Sequence, residues 1–298
     1  MASLPGVPLP NGISLPAVGL GTFEVTDETH FDAAVRTALH AGYRLIDTAQ
    51  CYRNEHIIGR VLWPACAELG IHRRDIFLTS KVHPGNHGYE ETKRSIAKSL
   101  IDLQTDYIDL LLIHWPGTKG VPVHNVDVNR TKRLDTWRAM TAALGTGQVK
   151  SIGVSNYTVH HLEELYQWIS RQYIAVKVYP AVNQIEVHPG WYPREDIEWC
   201  RQHGVVVQGY SSLGRAKSLL ENSVIVSIAN ELHISAAHVC LLYSRQKLIP
   251  VIPKSANPGR IVENWTAMIS DISLSEAHMD SLAVIPQKKV CWDPRVVL

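Results

Sequence analysis

The chain has 298 residues, 45% of them hydrophobic and 19% charged, which supplies enough apolar material for a sizeable buried core and excludes a disordered protein. With 29 Lys and Arg against 28 Asp and Glu the net charge is +1, so the basic footprint of a nucleic-acid or membrane-surface binder is missing. Five scattered cysteines (Cys51, Cys66, Cys200, Cys240 and Cys291) form no Cys-x-x-Cys pair, which predicts free thiols and no metal site.

In chain order, the opening stretch lacks a basic segment followed by an apolar core, and no run approaches the roughly 18 apolar residues of a membrane span. The expected location is the cytoplasm, and the expected state a monomer. Asn11-Gly12 lies between two short apolar segments within residues 7–15, a β-hairpin signal, and such a hairpin would plug the end of a barrel. Apolar runs of strand length follow at residues 17–20, 43–46, 76–79, 108–113, 149–154, 181–185, 205–209 and 249–252. Most are continuous rather than alternating, as parallel strands covered on both faces are. Between them lie stretches with helical spacing, such as residues 90–103 and 160–170. After Ala283 the chain reads as irregular and extended.

Strand and helix alternate throughout without a linker, which fits either a closed (β/α)8 barrel or a long doubly wound sheet. A doubly wound dinucleotide fold would carry Gly-x-Gly-x-x-Gly after its first strand; here Gly19-Leu20-Gly21-Thr22-Phe23-Glu24 lacks the third glycine. The prediction is therefore one (β/α)8 barrel domain over residues 1–298, capped by the N-terminal hairpin.

In such a barrel the chemistry sits at the carboxyl ends of the strands. The polar residues there are Asp47 and Tyr52 after the second run, Lys81 after the third and His114 after the fourth. An ammonium beside a phenol favours phenolate, so Lys81 is expected to lower the Tyr52 pKa, with Asp47 holding Lys81 charged. His114 would orient a carbonyl oxygen beside the Tyr52 hydroxyl, and together these groups would protonate a developing alkoxide. Near the end of the chain Lys254, Ser255 and Arg260 flank a predicted helix start, where unpaired N–H groups already favour an anion such as a phosphate monoester.

At these residues the sequence resembles the aldo-keto reductase family over essentially its whole length. Gly42-Tyr43-Arg44-Leu45-Ile46-Asp47-Thr48-Ala49-Gln50-Cys51-Tyr52-Arg53-Asn54-Glu55 resembles the family's first signature, Lys81 and His114 complete its tetrad, and residues 252–264 are similar to its adenosine 2′-phosphate site. The resemblance implies NADPH-dependent reduction of aldehydes and ketones, with Asp47, Tyr52, Lys81 and His114 catalytic and no metal. It assigns the nicotinamide carboxamide to Ser155, Asn156 and Gln184, and ring stacking to Tyr210. Ser211 and Leu213 would meet the pyrophosphate, with Gly21, Thr22 and Asp47 along the nicotinamide end. Lys254, Ser255, Arg260, Glu263 and Asn264 would take the adenosine phosphate and adenine.

Where many members carry tryptophan, this chain has Phe23 and His83, while Trp115 is kept; Phe23, Tyr52, His83, His114 and Trp115 are the expected substrate wall. His87 shares the loop of His83. The segment after Leu213 is short and runs into a helix at Ser218, with Arg215 and Lys217 supplying charge near the pyrophosphate. Cys51, beside Tyr52, is read as a small core side chain. The other reading of the family pattern is a redox-sensing regulatory subunit with vestigial turnover, which a bare N-terminus and a full tetrad disfavour.

Overall fold

A computed structural model describes residues 6–173, 176–215 and 217–298. The expected hairpin is present: β1 (Val7–Pro8) pairs antiparallel with β2 (Ser14–Leu15), and Gly12 supplies the positive φ of +83° at the turn. Asn11 Nδ2 donates to Lys150 O at 2.8 Å, and Leu9 and Leu15 are buried with Leu45, Phe77, Leu110 and Val182. The hairpin thus plugs the amino end of the strands.

The main sheet is parallel and runs in sequence order, with a helix after nearly every strand. Its elements are β3 (Leu20–Gly21), α1 (Glu28–Ala41), β4 (Leu45–Asp47), α2 (Glu55–Glu68), β5 (Phe77–Val82), α3 (Tyr89–Asp102), β6 (Ile108–Ile113) and α4 (Val126–Gly145). There follow β7 (Val149–Ser155), α5 (Val159–Ser170), β8 (Val182–Glu186), α6 (Arg194–Gln202), β9 (Val206–Tyr210), α7 (Lys217–Leu220), α8 (Ser223–Leu232), α9 (Ala236–Gln246), α10 (Pro258–Ile269) and α11 (Glu276–Ala283). On β6, Leu110 and Leu112 turn into the lumen cluster while Leu111 and Ile113 pack with the surrounding helices, which is why that run is apolar without alternation.

The eighth run, residues 249–252, is not a continuous strand but still closes the ring. Val251 bridges Gly209 on one side and Val18 on the other, with Val251 N donating to Ala17 O at 3.0 Å and Gly19 N to Val251 O at 2.9 Å. Pro250 and Pro253 flank this stave and have no N–H to give, so only isolated bridges form. The result is a closed (β/α)8 barrel. Several strands also extend further than their apolar runs suggest, ending on polar residues: Asp47, Ser155, Glu186 and Tyr210. The helix expected at Ser218 starts at Lys217 and is a single turn.

Local chemistry sets the helix ends. On α1 the Asp27 side chain accepts from His30 N, and Gly42, at φ 118°, ends the helix in the left-handed conformation that glycine adopts without penalty. Gly59 of α2 serves a close approach instead: a Cβ there would lie 2.3 Å from Asp102 O at the end of α3. Gly59→Ala is expected to destabilise the fold by about 1–3 kcal/mol through overpacking, read as a lower midpoint in urea denaturation. An unchanged midpoint would show that α2 and α3 separate freely.

Candidate active site

The strand ends converge on a cavity of about 720 Å³. At its base lies a buried cluster built from β4, β5, β8 and the short turn Gln50–Tyr52. Lys81 Nζ is 2.5 Å from Asp47 Oδ1, 2.9 Å from Thr48 O and 3.4 Å from the Tyr52 hydroxyl oxygen. The other Asp47 oxygen accepts from Gln184 Nε2 at 2.8 Å. Lys81 and Asp47 are 0% and 1% exposed, so each is the other's charge compensation. His114, just past β6, completes the group, its ring edge-on to Tyr52 at 5.7 Å.

The electrostatics differ from the expectation at Tyr52. Burial, and then the Asp47 carboxylate, push the phenol well above its usual pKa, so it keeps its proton. Lys81 does not reverse this: its ammonium is 2.5 Å from Asp47 and 3.4 Å from the phenol oxygen, so the paired carboxylate offsets part of its field. Burial likewise pushes the Asp47 carboxyl up, opposed by Lys81 and Gln184. The His114 imidazole is driven well below its usual value by burial and by the Lys81 charge, and is neutral.

Above this base the cavity carries Gly21, Thr22, Ser155, Asn156, Gln184, Tyr210, Ser211, Leu213, Arg215 and Lys254, together with Phe23 and Trp115. Ser155 Oγ donates to Gln184 O, Asn156 Nδ2 to His114 O, and the Tyr210 hydroxyl to Asn156 Oδ1 at 2.6 Å. The Gln184 amide oxygen has no partner among the described residues. Glu24, Asn156, Ser211 and Arg215 all hold left-handed backbone, at φ 60°, 62°, 50° and 55°. Such strain in non-glycine residues clusters where a surface must be shaped for a ligand.

Three observations fit a dinucleotide here. Gly21 leaves a shallow floor, since a Cβ would meet Ile252 O at 2.6 Å. Gln184 presents an unpartnered side-chain oxygen, an acceptor for a carboxamide N–H, beside Ser155 and Asn156, whose own donors are engaged within the protein. At the far end Lys254 and Arg260 are exposed beside the start of α10, and among the described residues neither has an ion-pair partner. Ser255 is buried and accepts from Asn257 N at 3.0 Å, Glu263 is half-buried and Asn264 is buried on the same helix. Ser255, Arg260, Glu263 and Asn264 lie outside the cavity wall that carries Asp47, Tyr52 and His114, and an extended ligand would reach from one to the other.

One expectation about the wall changes. His83 is not brought to the cavity: its Nδ1 accepts from Gly85 N at 2.9 Å, so the ring caps its own loop. His87 is buried against Thr118, its imidazole pushed down to about 3 by burial. Arg215 does reach the site, its guanidinium 5.8 Å from the Phe23 ring centre. The Lys217 side chain lies outside the described residues.

The sequence reading missed Cys51, Cys291 and Trp292 on the wall. Cys51 is not a core filler; its sulfur is 3.3 Å from His114 Nδ1. Cys291 and Trp292 arrive with the segment after Ala283, which is irregular as expected but anchored. The buried Glu186 carboxylate accepts from His188 Nε2 at 3.1 Å, Lys289 Nζ at 2.6 Å, Val290 N at 2.7 Å and Cys291 N at 3.0 Å. These donors hold it down to about 2 against its burial. Trp292 then packs edge-on to Trp115 at 5.1 Å. The one available signal was a carboxylate at a strand end; nothing local pointed to its partners.

Comparison with known proteins agrees with this arrangement. The model of the Aldo/keto reductase family matches residues 17–285. A glyoxal reductase of Bacillus subtilis is 39% identical over 276 residues, covering 93% of this chain and 91% of that protein. A 9,11-endoperoxide prostaglandin H2 reductase of Trypanosoma cruzi is 36% identical over 97% of this chain and 94% of its own length. Among solved structures, the aldo-keto reductase MGS-M4 from a deep-sea metagenome library superposes with a TM-score of 0.84 at 35% identity, covering 96% of this chain and 97% of that one.

Proposed function

The chain belongs to the aldo/keto reductase family, and from that premise we propose that it uses NADPH to reduce aldehydes and ketones to alcohols, with Tyr52 as proton donor. Family membership makes it an NAD(P)H-dependent oxidoreductase. The observation that carries the finer reading is the packing of Tyr52, Lys81, Asp47 and His114 within hydrogen-bond or ring contact at the base of one cavity.

Bound NADPH supplies the hydride. The chain's own residues do the rest. Tyr52 holds its proton at the hydroxyl oxygen until negative charge develops on the substrate oxygen, when that proton is transferred. Lys81, 3.4 Å behind it, stabilises the phenolate left by the transfer, and Asp47 keeps Lys81 in place. Neutral His114 donates a second hydrogen bond to the same oxygen without competing as an acid. Phe23, Trp115 and Trp292 form an apolar wall that receives the carbonyl's substituent. We assign the active form to a monomer in the cytoplasm, consistent with five free cysteines.

NADPH consumption across a panel of aldehydes, ketones and quinones tests the activity, and absence of turnover with every member would overturn it. Cofactor choice gives a second expected outcome. Lys254→Ala and Arg260→Ala should each raise the KM for NADPH roughly 10- to 100-fold, the worth of a charge-assisted phosphate contact, with the KM for NADH nearly unmoved. Wild-type protein with equal KM values for both cofactors would refute the assignment of the 2′-phosphate.

A further inference from the structure

We infer that Cys51 is a positioning residue for the reduction: its thiol donates to Nδ1 of His114, fixing the imidazole as the tautomer with its proton on Nε2, the nitrogen free to meet the substrate oxygen. The inference rests on the reductase reading above for its consequence, but not for the tautomer itself.

The geometry leaves few choices. Cys51 Sγ lies 3.3 Å from His114 Nδ1, and among the described residues neither ring nitrogen has another hydrogen-bond partner. The ring plane is fixed independently, stacked on Trp115 at 6.1 Å with 18° between planes and edge-on to Tyr52. A contact at Nδ1 therefore decides the proton, not the orientation of a loose ring. Two directions are open, S–H to nitrogen or N–H to sulfur. An imidazole lone pair is a good acceptor and a thiol sulfur a weak one, so the first is favoured. Burial also pushes the Cys51 thiol up to about 11, so its proton is present at neutral pH. The reverse tautomer would aim a bare nitrogen at the carbonyl oxygen, lone pair against lone pair.

This makes the site a two-donor cradle, with the Tyr52 O–H and the His114 Nε2–H converging on one oxygen, as anion-stabilising sites require. The device belongs to this chain's own sequence, in which a cysteine directly precedes Tyr52.

The test uses full-length protein labelled with 15N at histidine, and long-range imidazole correlations to identify the protonated nitrogen of His114. Wild-type protein is expected to show Nδ1 unprotonated and Nε2 protonated. Cys51→Ala should mix the two tautomers and lower kcat about 3- to 10-fold, the rate equivalent of one weak hydrogen bond, leaving the KM for NADPH unchanged. Cys51→Ser, whose hydroxyl can donate in the same way, should restore both the spectrum and kcat. Nδ1 found protonated in the wild type overturns the proposal. So does Cys51→Ala with an unmixed spectrum and full kcat. If the wild type shows the expected tautomer yet consumes NADPH with no carbonyl, the tautomer assignment stands and the reductase reading is what fails.

Discussion

Tyr52→Phe is expected to lower kcat by roughly 100- to 10,000-fold, the usual worth of a positioned general acid. The substitution is sharp because it spares the packing. The phenylalanine ring keeps its edge contacts with Phe23 at 5.0 Å and His114 at 5.7 Å, and only the hydroxyl facing Lys81 is lost. The KM for NADPH and the thermal midpoint should therefore stay near wild type, so that loss of turnover reports on the proton alone. Turnover within about tenfold of wild type, in folded protein, would mean that another donor supplies the proton. His114 is a poor candidate for that role, since an imidazole held well below its usual pKa carries no spare proton at neutral pH.

The second large effect concerns stability as much as rate. Asp47→Ala leaves the Lys81 ammonium at 0% exposure with only Thr48 O and the Tyr52 hydroxyl as partners, and strips Gln184 of an acceptor. Breaking one side of a buried ion pair costs about 3–5 kcal/mol, because the remaining charge must be desolvated without compensation. Chemical denaturation should show that loss directly. Adding Lys81→Met to Asp47→Ala removes the stranded charge, and apolar replacement of a buried pair is commonly near neutral. The double variant is thus expected to recover most of the stability while remaining inactive. A single Asp47→Ala variant as stable as wild type would mean that water reaches Lys81 and that the pair is not sealed.

The candidate catalytic cluster was legible because Asp47 and His114 directly follow apolar runs and Lys81 and Tyr52 come within two and six residues of one, so reading the polar groups at strand ends brought all four forward. Strand ends were read short for the same reason. Asp47, Ser155, Glu186 and Tyr210 continue the backbone ladder, yet their polar side chains break the apolar pattern. His83 was misplaced because an aromatic ring with a polar edge after a strand looks like a wall residue, whereas one local acceptance from Gly85 N suffices to turn it into its own loop.

By itself, the sequence determined the barrel and its hairpin plug and singled out the candidate reacting groups, since the first two follow from periodicities and neighbours within a few residues and the last from strand-end positions and the family resemblance. Contacts between distant parts of the chain decided the remainder. Glu186 gathers Lys289, Val290 and Cys291 from more than 100 positions away and so puts Cys291 and Trp292 on the cavity wall. The protonation of Tyr52 is also a tertiary property. An ammonium nearby argues for phenolate, but burial and the Asp47 charge outweigh it, because desolvation depends on everything packed around a group and not on which residue lies next to it.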